Sequence, residues 1–186
     1  MGLTPRLLVI LRIGVALSLT LPGQWRSGWA QVPGPAPGLQ DESGLRGDVS
    51  LPMIEKINEL RRGLGLPLVR SCRSMMLAVQ GHSEDMALKN ELDHEGSDGS
   101  SFWERLCRSG YRPGCGPSAW VGEIIAAGNS GVEDTLDQWI QSPGHYEILV
   151  EPKARVVGVG YAKNPGAGLQ HFWTVDFGAE ADRSCQ

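Results

Sequence analysis

Three residues between positions 94 and 145 carry side chains suited to holding a metal or moving a proton: His94, Glu123 and His145. Each stands near glycine, in His94-Glu95-Gly96-Ser97, Gly122-Glu123 and Ser142-Pro143-Gly144-His145. Neutral imidazoles and a carboxylate ligate zinc and related divalent ions, and two histidines with one glutamate would leave a position open for an activated water. A buried His or Glu is costly unless something satisfies it, so convergence of the three would mark a site. A plainer arrangement uses the same residues. His94 and Glu123 would form a hydrogen-bonded pair that ties loops together, and His145 would pack or cap a turn. No His-Glu-x-x-His helix fixes the ligands as in the zincin peptidases.

Other residues carry less chemistry. Ser83 and Ser142 lack the Gly-x-Ser-x-Gly elbow of a hydrolase nucleophile. His82 reads as a partly exposed helix position, and His171 as facing solvent or a strand neighbour. Met75, Met76 and Met86 read as core, because methionine fills irregular gaps. Gly158 and Gly160 fall in a β-rich run and do not open a phosphate-binding helix.

These residues sit in a chain of 186 with a formal charge of −4. Residues 1–30 read as a secretory signal: a basic start, an apolar run from Leu7 to Leu21, and Gly28-Trp29-Ala30 as a cleavage site. The apolar run is short for a transmembrane helix, although an uncleaved anchor is the alternative. Cleavage removes Arg6, Arg12 and Arg26 and no carboxylate, which takes the charge from −4 to −7. An acidic domain without a basic, aromatic-studded stripe argues against a nucleic-acid partner. Stable membrane insertion after cleavage is not expected. Four cysteines behind a secretory leader, Cys72, Cys107, Cys115 and Cys185, imply two disulfides with three possible connectivities. Cys107–Cys115 is the local choice, and Cys72–Cys185 would then tie down the C-terminus.

Residues 31–50 read as a Pro/Gly-rich linker, and the folded domain as 51–186. Met53, Ile57, Leu60 and Leu64 recur at helical spacing, ended by Gly63 and Gly65. A second helix is expected from about Ser74 to Asn90. Ser101-Phe102-Trp103-Glu104 announces a third through a capping box, and a fourth covers about Val132 to Gln141 before Pro143. The period then changes to that of strands. Arg155 to Ala162 and Leu169 to Gly178 form a hairpin around Asn164-Pro165-Gly166-Ala167-Gly168, and Ala119 to Ile125 is a third strand. Helices first and strands late give an α+β class.

In this order, several motifs resemble one family. They are Asn58-Glu59-Leu60-Arg61, Gly65-Leu66-Pro67-Leu68, His82-Ser83-Glu84-Asp85-Met86-Ala87, and His94 with Gly96-Ser97-Asp98-Gly99. They continue in Gly122-Glu123-Ile124-Ile125-Ala126-Ala127-Gly128, in Trp139 with Ser142-Pro143-Gly144-His145, in Gly158-Val159-Gly160-Tyr161-Ala162 and in Phe172-Trp173-Thr174. Together they resemble the CAP superfamily of cysteine-rich secretory, antigen and pathogenesis-related proteins (SCP-like extracellular proteins), in its bacterial-type branch, over about residues 51–179. The resemblance implies a three-layer α–β–α sandwich and a cleft lined in many members by two histidines and two acids. Carried over, these are His94, His145 and Glu123, with Ser142 where the second acid usually stands. Ile124 and Ile148 replace residues that are asparagine in the usual pattern.

The reading favoured here is a secreted, extracellular or periplasmic, non-catalytic binding module. Its cleft or groove would take a lipid, sterol, peptide or cell-envelope ligand, as the resemblance implies, with a divalent metal such as zinc on His94, Glu123 and His145 as an optional cofactor. Two alternatives stay open: a metal-dependent hydrolase or peptidase using the same three residues, and a disulfide-stabilised protein-interaction module. Oligomeric state is not legible in the sequence.

Overall fold

The computed structural model describes residues 47–116 and 119–186. The expected signal segment and most of the expected linker lie outside the described residues. The elements run α1 (Gly47–Gly63), β1 (Arg70–Ser71), α2 (Arg73–Lys89), α3 (Phe102–Arg108), a 3₁₀ turn (Arg112–Cys115), β2 (Val121–Ala127), α4 (Val132–Ile140), α5 (Pro143–Leu149), β3 (Val156–Lys163) and β4 (His171–Gly178). The sheet order is β1-β3-β4-β2, with β1 parallel to β3 and the other pairs antiparallel.

Side chains alternate across the sheet and divide it between two helical layers. Ile124, Ala126, Val157, Val159, Trp173, Val175 and Phe177 face a core built with Met53, Ile57, Leu136, Trp139 and Leu149. The intervening positions face α2 and its neighbours: Ile125, Ala162 and Phe172 pack with Met86 and Ala87, and Val156 with Met75 and Leu106. This is the three-layer α–β–α arrangement. Gly158 and Gly160 let α2 lie directly on the sheet, because a Cβ at Gly160 would come within 2.4 Å of the Val79 carbonyl group and one at Gly158 within 2.6 Å of the Met75 backbone.

The first helix begins at Gly47, inside the segment read as linker. Tertiary contact extends it: Val49 packs against the core, and the Ser50 hydroxyl donates to the Val159 carbonyl at 3.2 Å. The capping signal of α3 is met by Glu104, which accepts from the Ser101 backbone N–H at 2.9 Å. The strand expected over 119–125 runs two residues later. Two short elements had no clear signal, β1 and α5. Both disulfides form, Cys72–Cys185 and Cys107–Cys115. Among the described residues no helix is long and apolar enough to cross a membrane.

Arg61 is fully buried without a carboxylate partner. Its guanidinium donates to the carbonyls of Pro67 and Leu149, both at 2.8 Å, of Glu151 at 3.1 Å and of Ala154 at 3.3 Å. It thereby fastens the chain between α5 and β3 onto α1. Burial lowers its pKa, with the Arg155 charge adding to the effect. Arg61→Met would strip four carbonyls of their donor. The expected loss is about 3 kcal/mol, read as a denaturant midpoint shift at unchanged slope.

Candidate functional site

The candidate site lies at β2, one of the two edge strands of the sheet. Glu123 occupies the third position of β2 and is directly opposite Asp176 of β4. Its side chain is 1% exposed, yet it is ionised, because two partners close on it. His94 Nδ1 donates to Oε1 at 2.8 Å, and Arg105 Nη2 donates to Oε2 at 2.7 Å. Burial alone would raise the carboxyl pKa. The His94 bond and the Arg105 charge hold it below its ordinary value. In return, the bond to Glu123 raises the His94 imidazole despite partial burial.

The loop that carries His94 is tied down on several sides. Arg105 Nη1 donates to the carbonyls of His94 at 3.0 Å and Ser100 at 2.7 Å. Asp85 of α2 accepts from the Ser97 N–H at 2.7 Å, and Arg108 of α3 meets Asp98 at 2.7 Å. His82 is buried, which corrects the reading of a partly exposed helix position. Its Nε2 donates to the Asp93 carbonyl at 2.9 Å, fixing the residue before His94. Its Nδ1 is buried without a partner, and burial lowers its pKa. His82 therefore positions the loop, and the face of α2 that carries it turns inward because α2 lies flat on the glycine-paved sheet.

Asp176 was not singled out by sequence, although its surroundings held a signal. It is an acid in the apolar run Phe172-Trp173-Thr174-Val175-Asp176-Phe177, where period-2 alternation places it on the face of Thr174. It is 1% exposed, and its Oδ1 has no partner. Burial pushes its pKa well above the ordinary value. The negative Glu123 adds to this, and Arg105 offsets part of it. Burial and the Glu123 charge thus favour the protonated form of Asp176. Arg105 was missed as well. A lone arginine on a seven-residue helix carries no signal until that helix is packed against β2.

His145 arrives from the other helical layer, on α5. It is half-buried, its Nδ1 is enclosed without a partner, and burial together with the His94 charge lowers its pKa. It thus senses His94 electrostatically without bonding to Glu123. Ser142 stands at the N-cap of α5, where its carbonyl accepts from the Tyr146 N–H at 2.8 Å. It adds no carboxylate. His171 is bonded to the Tyr161 hydroxyl at 2.7 Å, a neighbour across the hairpin. Among the described residues, three ligand-type atoms fall within 4.8 Å of one another at Cys72, Asp182 and Cys185, and the two sulfurs are bonded to each other.

A cavity of about 740 Å³ opens at the start of α3 and the first residue of β2. Phe102, Trp103, Trp120 and Val121 line it. Val121 is two residues from Glu123 on the same face of β2, and Phe102 is one helical turn from Arg105. Phe102 and Trp103 meet edge to face at 5.0 Å, and Trp103 is 52% exposed.

The profile of the cysteine-rich secretory protein family, the CAP domain, matches residues 54–177. The chain belongs to this family. YkwD of Bacillus subtilis (strain 168) is 26% identical over 122 residues, which cover 64% of this chain and 45% of that protein. The chain thus spans less than half the length of this relative. An extracellular protein containing an SCP domain from Bacillus anthracis (strain Ames) superposes with a TM-score of 0.58 at 26% identity, over 70% of this chain and 40% of the other. An outer surface protein of Borrelia burgdorferi superposes with a TM-score of 0.60 at 19% identity, over 70% of this chain and 92% of the other, a likeness of fold.

Proposed function

We propose that the protein is a secreted binding module that holds an amphipathic ligand without turning it over. The ligand class is a lipid, sterol, peptide or cell-envelope fragment, with its apolar part in the aromatic cavity. The observation that carries this reading is the commitment of Glu123. Both carboxylate oxygens are bonded, one to a guanidinium, so neither is a free base or a vacant metal ligand. A divalent cation on Glu123 would have to displace Arg105 or lie beside its positive charge. As the residues are arranged, the donor set left over is His145 and the second nitrogen of His94, which fits a zinc ion poorly. The polar network serves instead as a rigid brace within the fold, and two disulfides together with family membership support an oxidising, extracytoplasmic setting.

The test is a titration of the purified chain with palmitate, cholesterol and a muropeptide, read by tryptophan fluorescence and thermal stability. Saturable quenching and a raised Tm with at least one of them are expected, since a ligand bound only to the native state stabilises it. Trp103→Ala should weaken that binding about tenfold or more, because exposed aromatic anchors dominate such contacts. Silence across the three probes would remove the reading. A peptidase activity lost with a chelator and with His94→Ala would replace it with the hydrolase.

A further inference from the structure

A second concavity, of about 890 Å³, lies where the start of α2, the 3₁₀ turn and the C-terminal tail come together. Arg73, Arg112 and Arg183 line it, one from each of these three segments. All three are exposed, and among the described residues none has an ion pair or a side-chain hydrogen bond. Arg61, Arg105 and Arg108, by contrast, are each engaged. Three unpaired guanidiniums around one hollow repel one another, and none of them makes a side-chain bond that holds the fold.

Arg73 makes this sharper. It sits in the first turn of a 17-residue helix, where a cation opposes the helix dipole, and no acidic residue accompanies it there. Two carboxylates share the rim. Asp182 is held in place and kept ionised by its hydrogen bonds, since its Oδ2 accepts from the Ser74 hydroxyl at 2.7 Å and its Oδ1 from the Ser184 N–H at 2.7 Å. With Glu180 it sets two negative charges against three positive ones. Leu77, 47% exposed, and Pro113 add an apolar shoulder.

We infer that this hollow is a binding site for a phosphate ester, gripped by Arg73, Arg112 and Arg183. Guanidiniums match phosphate oxygens in paired hydrogen bonds, and three of them on separate segments can surround one group. A short apolar tail would lie on Leu77. Such chemistry occurs in soluble phosphoesters and in the headgroups of anionic phospholipids, and the site is distinct in residues from the cavity at Trp103.

The full chain is titrated with sn-glycerol 3-phosphate by calorimetry, and its flotation with phosphatidylglycerol vesicles is compared with that on phosphatidylcholine vesicles. Arg73→Gln, Arg112→Gln and Arg183→Gln should each weaken binding about threefold to tenfold, the range expected for solvent-screened charge-assisted bonds. The triple variant should lose it, and added salt should weaken it in the native chain. Thermal stability should hold in all variants, because none of the three side chains has a partner to lose. Soluble binding without preference for phosphatidylglycerol identifies a free phosphoester. Phosphatidylglycerol-dependent flotation that the triple variant lacks identifies a lipid headgroup. The inference is overturned if neither probe binds, or if the triple variant binds as the native chain does.

Discussion

Arg105→Ala is expected to destabilise the protein by about 3 kcal/mol or more at neutral pH, because it leaves the Glu123 carboxylate buried with one polar partner. The Arg105 side chain is 11% exposed and that of Glu123 1%, so solvent does little to compensate. The same substitution releases the carbonyls of His94 and Ser100, which loosens the loop that presents His94. Chemical denaturation measures the loss. Adding Glu123→Gln removes the stranded charge, so the double variant should be less destabilised than additivity allows. A cost below about 1 kcal/mol for Arg105→Ala would show that this ion pair behaves like one on the surface.

The network also sets the sign of the pH dependence. The folded His94 pKa is raised above 6.5. Its contribution is fully present below 6.5 and is lost as pH rises through the folded value. Glu123 is lowered from 4.5, so its contribution is present above 4.5 and is lost as pH falls through the folded value. Asp176 acts in the opposite sense to Glu123. The folded state keeps a proton that the unfolded chain releases above 3.8, so this group erodes stability as pH rises from there. His94→Gln should flatten the decline on the alkaline side of 6.5, and a slope unchanged in that variant would assign the decline elsewhere.

Removal of the Cys72–Cys185 bond has the second large expected effect. The bond spans 113 residues, and a loop of that size restricts the unfolded chain by about 4 to 5 kcal/mol. Cys107–Cys115 spans 8 residues and restricts it by about 2.5 kcal/mol. The paired variant Cys72→Ala with Cys185→Ala should therefore lower the unfolding free energy about 2 kcal/mol more than Cys107→Ala with Cys115→Ala. A further loss comes from the tail itself. The Ser184 carbonyl accepts from the Arg73 N–H at 3.1 Å and the Ser184 hydroxyl from the Ser74 N–H at 3.0 Å, so the C-terminus caps α2. Amide exchange at the start of α2 should accelerate in the first pair and not in the second. Equal destabilisation by the two pairs would contradict the loop-length account.

What the chain declares by itself is periodic or local. The spacing of Met53, Ile57 and Leu60, the Ser101–Glu104 cap, and the hairpin around Asn164–Gly168 depend on neighbours in sequence, and they reappear in α1, α3, β3 and β4. His94 and Glu123 stand out together because their motifs keep family order, and the two side chains meet at 2.8 Å. Tertiary structure alone decided the rest. Whether Glu123 is a free base depends on Arg105, a residue 18 positions away on another element. Whether His82 is exposed depends on how closely α2 approaches Gly158 and Gly160. The protonation of Asp176 depends on which residue faces it across β2 and β4. Charge state and burial are properties of surroundings, and the surroundings of a residue are assembled from segments distant in the chain.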